Sequence, residues 1–389
     1  MHNCILCGHP LSAEDLLLVC HNMPAKAQHI PSAEELSQDE PLTLPLCQCS
    51  ACGLVQFDCE PVSYYKDVIR AGGYSEMMRQ LRRRQYEHFI DVCSLQGKRI
   101  LEVGCGQGEF LHVLKEFPVA AFGIEHDPLL VEKARAGGLN VSEAFAGSEE
   151  TKLDGAPYDA FLSFNFLEHQ PNPNGVLRCI YQNLTEDGVG LVTVPCLEYI
   201  LANDGFYELM RDHIAYYTED TLQLLMNRNG FIVLETTRIN RDTISMIVKK
   251  RPRIDISGLQ KFSGKLAAEI QAFASAHSAS GRSVAVWGAS HQGFMVLSTC
   301  GIADQIRYII DSAPFKQGLF SPASHIPIVS PEHFYTDPVD CILIVAPGYT
   351  DEIASAIRTR FGSRVEIAAI RSGSIELISK EGTLSPVHS

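Results

Sequence analysis

Basic side chains are scarce in this chain. Thirty-two lysines and arginines stand against 46 aspartates and glutamates, for a formal net charge of −14. A polyanionic partner matches that balance poorly, so neither nucleic acid nor an anionic membrane surface is expected. Long apolar runs are missing too. The longest stretch without a charge, Ser283 to Ala303, is broken by Gly, Ser, His and Gln. It reads as a strand, a turn and a helix, not as a membrane span. The opening Met-His-Asn-Cys lacks a charged segment followed by an apolar one. We therefore expect no signal peptide and a cytoplasmic location. There is no internal repeat and no low-complexity tract. Hydrophobic residues are plentiful, at 46% of the chain, which argues against disorder. Thirteen cysteines without an export signal point to reduced thiols and metal ligation, not to a disulfide framework.

A chain of 389 residues has room for two to three domains of ~150 residues. Three textures divide it at residues 1–65, 66–250 and 251–389. The first block holds Cys4, Cys7, Cys20, Cys47, Cys49, Cys52 and Cys59 and little periodicity. The second alternates apolar runs (Arg99–Val103, Ala120–Glu125, Tyr158–Asn165, Val189–Pro195) with helical patterns. Strands alternating with helices specify βαβ units and a parallel sheet. After a helical linker near Leu259–His277, the third block repeats the pattern with Ser283–Gly288, Ile306–Asp311 and Cys341–Ala346. The expected fold class is α/β, with a Rossmann-like core and a smaller Rossmann-like C-terminal domain.

Two C-x2-C pairs, Cys4/Cys7 and Cys49/Cys52, can supply four thiolates to one tetrahedral Zn2+. Gly8 and Gly53 follow the pairs, where a tight knuckle needs a permissive backbone. Cys47 is an alternative ligand to Cys49. A site with four protein ligands is closed, so zinc here would be structural. Further on, Ile100-Leu-Glu102-Val-Gly104-Cys-Gly106-Gln-Gly108 follows a strand and opens a helix. Its glycines let the backbone approach a ligand closely. Their spacing is G-x-G-x-G, not the G-x-G-x-x-G expected for NAD. Glu125 ends the next strand, where an acid can accept hydrogen bonds from both hydroxyls of a ribose.

This middle block resembles the class I S-adenosylmethionine-dependent methyltransferases. Glu102 matches the acid that opens the family's first motif, and Asn165 begins Asn165-Phe-Leu-Glu168-His169-Gln-Pro-Asn-Pro, similar to the family's "xxLEHxPDP". The resemblance implies that Glu102, Gly104, Gly106, Gly108, Glu125 and Asn165 hold S-adenosylmethionine. The order of all three blocks resembles, more narrowly, the zinc-binding sugar C-methyltransferases, which act on nucleotide-linked deoxy-keto-sugars. Gly288-Ala-Ser-His-Gln-Gly293, Asp311-Ser-Ala-Pro-Phe-Lys316-Gln-Gly318 and His325-Ile-Pro-Ile328 are similar to that family's C-terminal run. In that family the chemistry lies in a His-Glu-His-x-x-Tyr-Phe stretch, which reads Arg211-Asp212-His213-Ile-Ala-Tyr216-Tyr217 here. A looser match to a second element falls at Tyr74-Ser75.

The resemblance implies carbon methylation. A base must remove a proton beside a ketone, and the enolate then attacks the sulfonium methyl group. Histidine, with an unperturbed pKa of about 6.5, suits that task. His213 is the expected base. Asp212 orients it or holds a sugar hydroxyl, His169 polarises the ketone, and Tyr74, Tyr216 and Tyr217 are candidate donors to the sugar or its diphosphate. Lys316, His291 and His325 are candidates for contacts to the nucleotide. The run Arg82-Arg83-Arg84 is a solvated face or a phosphate-capture patch. The competing reading is an N- or O-methyltransferase of another small polar metabolite.

Overall fold

A computed structural model describes residues 2–27, 30–66, 75–371, 373–378 and 384–386. The chain divides into two units, residues 1–253 and 254–389.

In the first unit, strands β1 (Leu16–Met23), β2 (Leu42–Gln48) and β3 (Val55–Phe57) pair antiparallel. The N-terminus of helix α1 (Glu76–Val92) is satisfied by Ser75, whose side chain accepts from the Met78 N–H. There follow β4 (Arg99–Val103), α2 (Glu109–Leu114), β5 (Ala120–Glu125), α3 (Pro128–Ala136), β6 (Val141–Glu143), β7 (Tyr158–Phe164), α4 (Pro173–Gln182), β8 (Leu184–Pro195) and α5 (Leu197–Ala202). The unit ends with β9 (Ala215–Tyr216), α6 (Glu219–Arg228), β10 (Phe231–Ile239) and β11 (Thr243–Lys250).

Seven of these strands form one sheet in the order β6-β5-β4-β7-β8-β11-β10. The first five run parallel, and the hairpin of β10 and β11 joins antiparallel. The central strand β7 is buried at six of its seven positions, as expected for a parallel strand covered on both faces. Gly190 on neighbouring β8 makes that possible, since a Cβ there would lie 2.0 Å from the Phe161 ring.

The cysteine-rich block is not a separate body. Strand β9, which follows the sheet's fifth parallel strand, completes the N-terminal sheet by pairing with β3, Val55 opposite Tyr216. Leu6, Leu11 and Leu54 share a hydrophobic cluster with Val192, Val194 and Tyr217. Asn174 of α4 donates from Nδ2 to the carbonyls of Ile5 (2.9 Å) and Leu6 (3.0 Å), and Asn229 donates to Asn174 Oδ1 (2.9 Å).

The second unit contains α7 (Ser257–Ala279), β12 (Val284–Trp287), α8 (His291–Thr299), β13 (Ile306–Ile310), β14 (Ile328–Val329), β15 (Cys341–Ile344), α9 (Thr350–Phe361), β16 (Glu366–Arg371), β17 (Ser374–Ile378) and β18 (Leu384–Pro386). Their order is β14-β13-β12-β15-β16-β17-β18. Helix α7 belongs to this unit and is not a free linker, because Ile270 and Ala274 are buried in its core with Val284, Val286 and Leu343.

Asn174→Ala would leave the Ile5 and Leu6 carbonyls without their side-chain donor. We expect a loss of about 1–3 kcal/mol of unfolding free energy, read by urea denaturation.

Candidate active site

The glycine loop grows directly from β4. Glu102 is fully buried near the strand's end. Gly104, Gly106 and Gly108 then take φ values of 67°, 59° and 86°, a region that side chains rarely tolerate. A Cβ on Gly104 would meet the Phe166 ring at 3.0 Å, and one on Gly108 would lie 2.0 Å from Leu139. Glu125 faces this loop from the end of β5. Its Oε2 accepts the Gly106 N–H (2.8 Å), and its Oε1 accepts from His126 N (2.7 Å) and Asp127 N (3.1 Å). Beside them a small hollow is lined by Gly104, Glu125, His126, Phe145 and Phe166. Asn165, just past β7, has φ 46°, and its Oδ1 accepts from the Thr193 hydroxyl at 3.1 Å. A glycine-rich backbone loop, a strand-end acid and an amide thus line one rim of the sheet.

A second cluster lies beyond Asn165. A single turn of 3-10 helix, Leu167–His169, carries Glu168 and His169 inward, both buried. His169 Nδ1 donates to the main-chain oxygen of Asp212 (2.8 Å), which leaves Nε2 with the lone pair. His213 packs edge-on against His169, ring centroids 4.6 Å apart. Burial pushes the His169 imidazole below its ordinary range. Burial, and then the neighbouring His169, push partly buried His213 down to about 3. Burial drives Glu168 the other way, up to about 8. Both imidazoles are thus neutral bases near pH 7.

Asp212 does not face His213. Its Oδ1 accepts from the Tyr64 hydroxyl (2.7 Å) and its Oδ2 from the Ala27 N–H (2.9 Å). Arg211 donates to the carbonyls of Ala25 (3.1 Å) and Glu60 (3.0 Å). The stretch before β9 is therefore strapped to the N-terminal block. The Tyr216 hydroxyl donates to the Met210 carbonyl and that of Tyr217 to the Leu167 carbonyl, so both candidate sugar donors are engaged by backbone. Tyr74 lies outside the described residues. Tyr64 went unnoticed in the sequence, and no spacing marks it. Glu168 was visible in its motif, but only burial shows its character.

In the N-terminal block the Sγ atoms of Cys4, Cys7, Cys49 and Cys52 all lie within 4.8 Å of one another. Cys4–Cys52 and Cys7–Cys49 are 3.5 and 3.6 Å apart, too far for disulfides. A hydrogen bond from Cys52 is the main cause that pulls the Cys4 thiol down to about 5. Cys47 is buried and outside the group. The arginine run divides. Arg82 is buried over the Phe164 ring, 3.4 Å from its centroid, Arg83 pairs with Glu116, and Arg84 lines a surface hollow against β10 and β11. In the second unit, Asp311 accepts from the Ala289 and Ala313 N–H groups (2.9 and 2.8 Å) and pairs with Lys316 at 3.1 Å.

Residues 78–236 match a methyltransferase domain family, and residues 255–365 match the C-methyltransferase C-terminal domain. The C-methyltransferase NovU from Streptomyces niveus is 24% identical over 90% of each chain. The chain is a class I S-adenosylmethionine-dependent methyltransferase. It resembles the C-methyltransferases. A ubiquinone biosynthesis O-methyltransferase from Bordetella avium is 34% identical over 22% of this chain and 37% of its own length. Magnesium protoporphyrin IX methyltransferase from Synechocystis aligns over 44% of this chain and 83% of its own, with 14% identity and a TM-score of 0.36. No helix among the described residues of the methyltransferase is long and apolar enough to cross a membrane.

The depressed His213 has a thermodynamic signature. Its ordinary pKa is 6.5 and its folded value about 3, so below pH 6.5 the unfolded chain binds a proton that the folded chain refuses. Stability is lost as pH falls through that window, at up to about 1.4 kcal/mol per pH unit from this one group. His213→Gln should gain stability relative to the parent as pH falls from about 6.5 to about 4, read by denaturant titration at each pH.

Proposed function

We propose that the methyltransferase is a C-methyltransferase of a nucleotide-linked keto-sugar. The neutral histidine pair at the turn that follows β7, one ring buried and the other partly so, carries this reading. Transfer to oxygen or nitrogen uses an existing lone pair, whereas transfer to carbon needs a base to make one. S-adenosylmethionine, when bound, supplies a methyl group made electrophilic by a sulfonium. The chain's residues do the rest. Glu125 and the peptide edge from Gly104 to Gly108 hold the cofactor, with Glu102 and Asn165 shaping its cradle. His213 takes the proton from the carbon beside the ketone. His169, oriented by the Asp212 carbonyl, stabilises the oxyanion of the enolate. Asp212 is a positioning residue that anchors this segment to Tyr64. The C-terminal unit is the substrate-holding domain. Its strand order reverses beside β12, and ligands of such sheets bind where the order reverses.

The four N-terminal thiols fit Zn2+. A tetrahedral ion with Zn–S of about 2.3 Å spaces its sulfurs ~3.8 Å apart, close to the observed 3.5 and 3.6 Å. We assign Cys4, Cys7, Cys49 and Cys52 to a structural zinc without a catalytic part. Cys49→Ser should remove the metal and lower Tm, whereas Cys47→Ser should retain one zinc per chain by elemental analysis.

Calorimetric titration with S-adenosylhomocysteine and then with a panel of nucleoside diphosphates tests the functional reading. We expect the first to bind, and one nucleotide to bind selectively. Binding of S-adenosylhomocysteine with no nucleotide would shift the assignment to an N- or O-methyltransferase of another small metabolite. That alternative is favoured by Arg211-Asp212 standing where the sugar family has His-Glu. Glu125→Ala should weaken S-adenosylhomocysteine by about 10–100-fold, the worth of one lost charged hydrogen bond.

A further inference from the structure

Three lone-pair groups converge at the turn that follows β7. His169 Nε2, left bare because Nδ1 serves Asp212, stands 3.9 Å from Glu168 Oε1. The ligating atoms of Glu168, His169 and His213 all lie within 4.8 Å of one another. Glu168 is 2% exposed, and its Oε2 has no hydrogen-bond partner among the described residues. The groups acting on Glu168 are its own backbone N–H and the Asn165 amide, with His169 on the same turn and His213 and Tyr217 from the segment around β9. The Asp212 carboxylate acts on His169. None of these is a permanent cation. Facing lone pairs repel unless a proton or a cation lies between them, so the cluster is built to hold one positive charge that it does not permanently own.

We propose that Glu168, as the carboxylate, is the counter-charge for the imidazolium that His213 becomes on taking a proton from carbon. This rests on the carbon-methylation reading above. In that step the C–H bond breaks and an N–H bond forms on His213. The electron pair stays with the carbon and spreads onto the ketone oxygen. Glu168 remains an anion throughout, and its charge balances the imidazolium in a site too dry to solvate one. The proton then leaves to solvent by the exposed edge of His213. Glu168 is a positioning residue, acting through His213 and not on the substrate. Burial keeps it protonated up to about pH 8, so readiness of the site rises as pH climbs through that value.

The test is nuclear magnetic resonance of the full chain with 15N-labelled histidine, saturated with S-adenosylhomocysteine and titrated from neutral to alkaline pH. The ring resonances of His169 and His213 should move together with a midpoint near 8, and this movement should vanish in Glu168→Gln. The same inflection in Glu168→Gln would place the proton on a histidine and overturn the proposal, as would a flat response in the parent. Stoichiometric Mn2+ that broadens both rings, and does so no longer in Glu168→Gln, would also overturn it by making the cluster a metal site. Should Glu168→Gln fail to fold, infrared difference spectra of the parent decide. The carbonyl stretch of a buried carboxylic acid should disappear over the same pH range, and a carboxylate already ionised at neutral pH refutes the assignment. The nucleotide titration above addresses the sugar reading separately, because it reports a ligand and not a proton.

Discussion

Asp212 is the joint on which the site depends. Its carboxylate accepts from Tyr64 and from the Ala27 N–H, and its carbonyl accepts from His169. One residue thus ties the N-terminal block to the histidine pair and fixes the tautomer of one ring. A hydrogen bond to an ionised group contributes about 1.5–3 kcal/mol, and two such bonds converge on a carboxylate only 1% exposed. A run of contacts therefore leads from the N-terminal block to the imidazole: Tyr64 and Ala27 hold Asp212, and Asp212 holds His169.

The alternation of apolar runs with helical patterns is a local property of the chain, and it carried strands β4, β5, β7, β8, β12, β13 and β15 but not β6, the antiparallel β10–β11 hairpin, β14 or β16 to β18. The glycine loop was equally legible, because three positive-φ positions demand glycine whatever surrounds them. The two C-x2-C pairs were legible from spacing, with Cys47 an alternative to Cys49 that the fold places outside the group. What stayed hidden depends on distant chain segments meeting. Nothing in the sequence joins Tyr64 to Asp212, or says that residues 215–216 complete a sheet begun at Leu16. The arginine run shows the limit well. Three consecutive arginines on one helix point three ways, and one is buried over an aromatic ring.

Desolvation is the common cause behind the site's character. The same burial lowers His213 to about 3 and raises Glu168 to about 8, because in each case it disfavours the charged form. Both groups are therefore neutral in the resting protein near pH 7, and Glu168 balances a charge on His213 only once it has itself ionised. An ordinary surface histidine beside an ordinary glutamate would do the reverse and spend its proton in advance.

The pairing of β3 with β9 has a consequence for synthesis. Strands β1 to β3 leave the ribosome early, but their fourth strand arrives only after most of the seven-stranded sheet has been made. Until then β3 presents an open edge of unpaired peptide groups, the kind of edge that invites pairing with other chains. The N-terminal block is first in sequence and among the last to be completed.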